Sequence, residues 1–272
     1  MSASGPARPA ALGRPPARLV APAVLGLAVL VLPLVALLAR TPWSTMPQRL
    51  VEPAILDALR LSLVTSTVAI AICLVLGLPL AWLLARVPFP GRGFVRALVT
   101  VPLVLPPVVA GVALLVAFGR NGIVGGPLRD WFGVTIPYTT AAVVIAHTFV
   151  AMPFFVISVE GALRATSQEY DVAAATLGAD RWTVFRRVTL PLALPGIAAG
   201  LVLGWARSLG EFGATITFAG SFPGTTRTMP LAVYNALQSD FEAALVLSVI
   251  LLLVSVLVLV LLRDRWFEQA AR

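Results

Sequence analysis

The sequence predicts an all-α integral membrane protein with about six transmembrane helices, and three observations carry that prediction. Hydrophobic residues make up 59% of the chain and charged residues only 12%, far from the balance of a water-soluble domain. Apolar stretches of about 20 residues, the length that crosses a hydrocarbon core, recur along it. The basic residues gather in alternate segments between those stretches, as they do when successive loops lie on opposite faces of a membrane.

Residues 1–18 are rich in Pro, Ala and Arg, which predicts a disordered tail. The spans follow at Leu19–Leu38, Leu61–Leu84, Leu98–Phe118, Thr140–Ile157, Leu192–Leu209 and Ala243–Leu262. Arg8, Arg14 and Arg18 ahead of the first span imitate the start of a signal peptide. Its apolar run is longer than such a peptide needs and no small-x-small cleavage site follows, so a retained helix is expected. The membrane domain thus covers residues 19–262, with its one long loop at 160–191, and residues 263–272 form a second tail.

Six crossings return the chain to the side it started from. Placing that side in the cytoplasm gives its segments thirteen of the twenty basic residues, and the segment carrying Arg86, Arg92 and Arg96 has no acidic residue. Both termini are therefore expected to be cytoplasmic. All twenty basic residues are Arg. They form no continuous basic face, which argues against nucleic acid as a partner and leaves the headgroups of membrane lipid as their counter-charge. Cys73 lies inside an apolar run, which predicts simple packing, with no disulfide framework and no Cys/His metal spacing.

Pro102, Pro106 and Pro107 interrupt the third span and Pro153 the fourth; each removes a backbone donor and bends its helix. The run from Leu105 through Pro106 and Pro107 to Gly111 either merely kinks the span or shapes a pathway or gate. Arg207, near the outer end of the fifth span, has Glu211 four residues on, sharing its helix face. That pair is either structural or a gate whose closure depends on it. His147, within the fourth span, reads as a satisfied interior histidine.

The loop at 160–191 has structure written into it. Thr166-Ser167-Gln168-Glu169 reads as a capping box, with Thr166 as N-cap and Glu169 reaching back. The helix that begins there runs through Ala173, Ala174 and Ala175 to Leu177, and Gly178 supplies a left-handed C-cap. Asp180 can cap a second short helix that stops at Thr189-Leu190-Pro191. Three alanines beside a glycine either form an ordinary solvated connector or leave a surface to which another protein can approach closely.

Asp171-Val172-Ala173-Ala174-Ala175-Thr176-Leu177-Gly178, followed by Leu190-Pro191, resembles the EAA loop of ABC-importer permeases, with Asp171 in place of Glu at the acidic position. The resemblance implies an ABC type I importer permease fold in a bacterial plasma membrane. In that family the loop's helix is the coupling helix, seated on a separate ATP-binding subunit that carries the ATP and Mg. It implies that Glu169, Asp171, Ala173, Ala174, Ala175, Gly178, Leu190 and Pro191 belong to the coupling element. The absence of Lys agrees, because a P-loop needs one to reach the terminal phosphates. Gly210-Glu211-Phe212-Gly213-Ala214-Thr215 and the segment from Pro223 to Tyr234 are similar to the molybdate permease subunits. This implies two copies of the chain, two ATPase subunits and an extracytoplasmic oxyanion-binding protein, with molybdate or tungstate as cargo and sulfate as the alternative. Gly220–Thr228 reads as a flexible outer loop, with Arg227 solvated or facing that protein. An ion-coupled transporter would place ionisable groups in mid-membrane, and these spans offer only His147; an enzyme would need a nucleophile with its base or a metal cluster, and the chain offers one His and one Cys.

Overall fold

A computed structural model of the chain describes residues 17–270; all but the end of the tail expected over residues 1–18 lies outside them. No strand occurs among the described residues. The first crossing is α1 (Ala17–Arg40), which touches the last helix and has no buried residue over 18–40, as an apolar helix facing lipid or a second chain would. Next comes α2 (Pro53–Arg86), which begins well before the apolar run it was expected to match.

The third crossing departs from expectation. It is a pair of helices, α3 (Arg92–Val104) and α4 (Pro107–Phe118), bent by 117° at Leu105-Pro106. Leu105 and Pro106 are extended, as residues preceding a proline are driven to be. After a short surface helix α5 (Gly125–Phe132), the chain enters α6 (Thr140–Ala165), which passes through Pro153 without a break. Val95 and Val99 of α3 pack beside Val156, Val159 and Leu163 at one end of α6, whereas Ala110 and Leu114 of α4 pack beside Ala142, Val143 and Ala146 at the other. The bent pair therefore traverses the bundle as one broken crossing.

The loop carries α7 (Glu169–Thr176), and α8 (Arg181–Leu209) makes the fifth crossing. The expected second loop helix does not stop at Pro191. It continues into the span through a wide π-turn over Phe185–Thr189, and a matching π-turn over Cys73–Gly77 lies inside α2. Each π-turn starts six residues before a proline, Pro191 and Pro79. A proline has no N–H to donate and its ring presses on the carbonyl four residues back, so the widened turn lets the helix pass it unbroken.

The far end of α8 also differs from the predicted span. Gly204 faces Ala151, and beyond that level α6 runs eleven more residues to Thr140 but α8 only five to Leu209. A short helix, α9 (Gly213–Ala219), completes the crossing and brings Gly220 against Tyr138. Residues 220–228 are a tucked loop rather than a flexible one: Thr226 and Thr228 are buried, and Arg227 donates to Ser221 Oγ and O, both at 3.2 Å. Then α10 (Met229–Leu237) lies on α2, where the Met229 N–H donates to Ser62 Oγ at 2.7 Å, and α11 (Phe241–Ala270) closes the fold.

The seam of the bundle is α6 against α8. Gly196, Gly200 and Gly204, four residues apart on one face, sit against Ala162, Phe155 and Ala151. Small residues at this spacing let two backbones approach, which is how helices gain packing energy where lipid offers no hydrophobic contrast. The two breaks form a second seam, in which a Cβ on Gly213 would collide with the Cβ of Pro107. Gly213→Leu should therefore cost about 1–3 kcal/mol by overpacking and lower the thermal midpoint of the detergent-solubilised chain. Gly161→Ala, which meets nothing within 4 Å, should leave the midpoint unchanged or raise it.

Candidate functional site

The loop after α6 is exposed along its length yet firmly tied. Thr166 is not an N-cap: its N–H and hydroxyl donate to the Ala162 carbonyl at 3.2 and 3.1 Å, ending α6. The expected capping box is absent, because the chain needs Thr166 to close the preceding helix. Ser167 takes over, accepting the Glu169 N–H at 3.2 Å. At the other end the expectation holds: Gly178 is left-handed at φ +85°. The Ala179 N–H reaches the Ala174 carbonyl and the Gly178 N–H the Ala175 carbonyl, which is a Schellman closure. Asp180 caps α8 by accepting the Thr183 N–H at 3.2 Å. Hydrogen bonds from Thr183 hold its carboxyl below the usual carboxylate range, so the cap persists at neutral pH and is lost only as pH falls through that lowered value.

Asp171 is the fixed point of α7. Its Oδ1 accepts from Thr189 Oγ1 at 2.9 Å, and its Oδ2 lies 3.5 Å from Arg86 Nε. Arg86 also donates to the Thr166 carbonyl at 3.2 Å, and its side chain is only 7% exposed. One carboxylate thus joins the loop to the end of α2 and to the π-turn that opens α8. A second network lies just above. Glu160 receives Arg96 at 2.6 Å and Arg164 at 2.8 Å, and the Leu84 carbonyl at the end of α2 receives Arg92, Arg96 and Arg164. The arginines read from the sequence as a topological signal therefore also satisfy the last carbonyls of α2.

On its free side α7 has no buried residue. Tyr170, Val172 and Leu177 are 58%, 61% and 89% exposed, and Ala173 and Ala175 lie open between them. Glu169 and Gly178 are exposed, whereas Leu190 and Pro191 lie in α8, just past the π-turn that carries Thr189. Three large apolar groups on a polar-tethered loop, off the end of the bundle, form the kind of patch that a protein partner covers.

The second candidate lies at the breaks. Arg207 Nη1 is 2.7 Å from Glu211 Oε2, and Glu211 Oε1 accepts the Ala214 N–H at 2.9 Å. The two do not share a helix face, because α8 ends at Leu209 and the pair spans the gap to α9. Glu211 is 1% exposed and fills the start of α9, while Arg207 keeps 32% of its side chain open. Pro107 touches Gly213 beside them, so Pro106 and Pro107 are gathered with Arg207 and Glu211 at one level. His147, expected to be satisfied, is buried with neither ring nitrogen bonded among the described residues.

Cutting the Asp171 tie leaves a nearly buried Arg86 without its carboxylate. Asp171→Asn with Arg86→Gln in a double-mutant cycle should give a coupling of about 1–2 kcal/mol, below that of a fully buried pair because Asp171 is partly solvated. Hydrogen exchange across residues 169–176 should accelerate in each single variant while the spans stay protected.

The family model for the binding-protein-dependent transport system inner membrane component matches residues 77–272. The molybdenum transport system permease protein ModB of Mycobacterium tuberculosis is 49% identical over 241 residues, covering 87% of this chain and 89% of that protein. The sulfate transport system permease protein CysT of Escherichia coli is 38% identical over 235 residues, covering 85% and 84%. Among solved structures, a bacterial ABC transporter involved in the import of the polysaccharide alginate superposes with a TM-score of 0.75 at 16% identity, covering 92% of this chain and 94% of that one. That likeness concerns the fold, and both broken crossings fall inside the stretch matched by the family model. Multi-pass and bound to the bacterial cell membrane, the chain belongs to the inner membrane components of binding-protein-dependent transport systems.

Proposed function

We propose that this chain is the membrane-spanning subunit of an ATP-driven molybdate importer, and that the loop 160–191 is where a separate ATP-binding subunit docks. The observation that carries the docking reading is the free surface of α7: Tyr170, Val172 and Leu177 stand exposed on a helix that Asp171 holds in place from behind. An ATP-binding subunit seated there can push on α7 as a body. The Asp171–Arg86 contact passes that push to α2, and Thr189 passes it to α8. On this reading the loop and both chain ends are cytoplasmic, residues 19–262 form the permease domain, and residues 263–272 a cytoplasmic tail. ATP and Mg reside on the partner. Two copies of the chain with two ATP-binding subunits enclose the pathway, and an extracytoplasmic oxyanion-binding protein delivers the cargo.

The cargo reading rests on the greater identity to a molybdenum permease than to a sulfate permease, over similar shares of the chain. At the pathway, Arg207 is a cation with its guanidinium part-open, held by a carboxylate that also caps α9. An oxyanion needs such a donor along its route, and parting the pair as the breaks open would expose it. The bent segment at Pro106 and Pro107, packed on Gly213, is the element that can open there. An ion-coupled mechanism finds no support in the buried His147, whose ring nitrogens have no hydrogen-bond partner among the described residues.

Two measurements test the proposal. Gly178→Trp should insert normally but lose the co-purifying ATP-binding subunit and uptake, whereas Gly178→Asn, which tolerates a left-handed backbone, should keep both. No neighbour lies within 4 Å of an added Cβ at Gly178, but φ of +85° strains any side chain there, so a Trp defect counts as one of docking only where hydrogen exchange over residues 169–176 stays as slow as in the Asn variant. In proteoliposomes, the molybdate-loaded or tungstate-loaded binding protein should stimulate ATP hydrolysis and the sulfate-loaded protein should not; the reverse order would transfer the assignment to sulfate.

A further inference from the structure

We infer that the joint between the loop and the bundle holds an anionic phospholipid, with its phosphate at Arg181 and its acyl chain against Trp82 and Phe185. Two grooves of about 340 Å³ each meet at this joint. One carries charge, with Arg86, Asp171, Arg181 and Thr189 among a lining that is otherwise apolar and includes Val172 and Ala175 of α7; the other is lined only by Pro79, Trp82, Arg181, Trp182 and Phe185. Trp82, Arg181 and Phe185 belong to both. A charged groove opening directly into an aromatic one, with a guanidinium at the boundary, matches a ligand with an anionic head and an apolar tail.

The aromatic walls are ordered against one another. Phe185 meets Trp82 edge-on at 5.9 Å and stacks with Trp182 at 5.6 Å, and Trp182 remains 64% exposed. The groove continues an apolar face of α2, where Val75, Leu76, Pro79 and Leu83 are all exposed, so it opens toward the hydrocarbon rather than toward the tip of α7. Indole and phenyl rings at the boundary of a span are the usual lining at headgroup depth.

Charge settles which lipid. Arg181, Arg186 and Arg187 are exposed and make no ion pair among the described residues. Arg186 follows Trp182 by four residues, which places it on the same flank of α8. The acids nearby are already engaged: Asp171 by Arg86 and Thr189, and Asp180 by its cap to Thr183. A bound lipid would bridge α2 and α8 where the Asp171 tie joins them, and so stiffen the route that the proposed function requires. The lipid site rests on the groove itself and stands whether or not an ATP-binding subunit docks on α7.

The test uses the chain co-expressed with its ATP-binding subunit, in nanodiscs of phosphatidylcholine with or without phosphatidylglycerol, followed by native mass spectrometry of the released complex. The complex should retain phosphatidylglycerol in preference to phosphatidylcholine. Arg181→Gln should lower that preference about fivefold, the effect of one basic side chain at an anionic surface. Trp182→Ala should reduce the lipid retained in total, and Arg60→Gln at the opposite end should change neither. Equal retention of the two lipids, or a preference that survives Arg181→Gln, would overturn the site. If Arg181→Gln instead releases the ATP-binding subunit and leaves the lipid preference intact, the groove belongs to that subunit and the lipid assignment is wrong.

Discussion

Asp171 sits between Arg86 and Thr189, and the placing of α7 depends on that contact. A helix of eight residues with no buried side chain has no stability of its own, because isolated helices of that length do not offset their nucleation cost. The Schellman closure at Gly178 and the Ser167 hydroxyl define its ends but attach it to nothing. Among the described residues the Asp171 carboxylate makes the side-chain hydrogen bond and ion pair that tie α7 to the bundle, and it reaches two elements at once. A loop held this way presents a fixed surface while keeping its apolar side chains free for a partner.

Above the tie the helices are fastened to one another at one end of the bundle. The glycine face of α8 against α6 makes those two helices one unit, and the Glu160 and Leu84 networks fasten α2 and α3 to the same end. The level of Gly213 is different. There both crossings that flank the seam are interrupted, and the interruptions touch each other. Broken helices are costly in a membrane unless the freed backbone groups find partners, and Glu211 supplies one by capping α9. Its burial as a carboxylate is sustained by Arg207, so cap, ion pair and bend form one assembly.

Much of this is legible in the amino-acid sequence. Apolar length found the five helices long enough to cross and the bent pair that makes a sixth, though not their bounds, and local backbone chemistry marked Gly178 and Asp180 correctly, since a left-handed C-cap and an aspartate N-cap are decided within a few residues. The tie from Arg86 to Asp171 and the bridge from Arg96 to Glu160 were not legible, because contacts between distant residues have no spacing rule. Hydropathy averaging also concealed direction: Leu98–Phe118 reads as one apolar run although its backbone turns by 117° at Leu105-Pro106. Thr166 matched a capping pattern, but the helix before it had the prior claim on its hydrogen bonds. The π-turns ahead of Pro79 and Pro191 did carry a signal, a proline inside an apolar run with no other breaker, which marks a helix that must widen to continue.

The central claim is that the exposed face of α7 is covered by an ATP-binding subunit. Site-specific cross-linking tests it most directly: Leu177→Cys in a Cys73→Ser background, treated with a short thiol-to-amine reagent in membranes containing the co-expressed subunit. The account predicts a cross-link from residue 177 to that subunit, weakened or lost in the Asp171→Asn variant, and none from Ile123→Cys, an equally exposed position on the short connection between α4 and α5. A complex that purifies intact but yields no cross-link at 177 would contradict it.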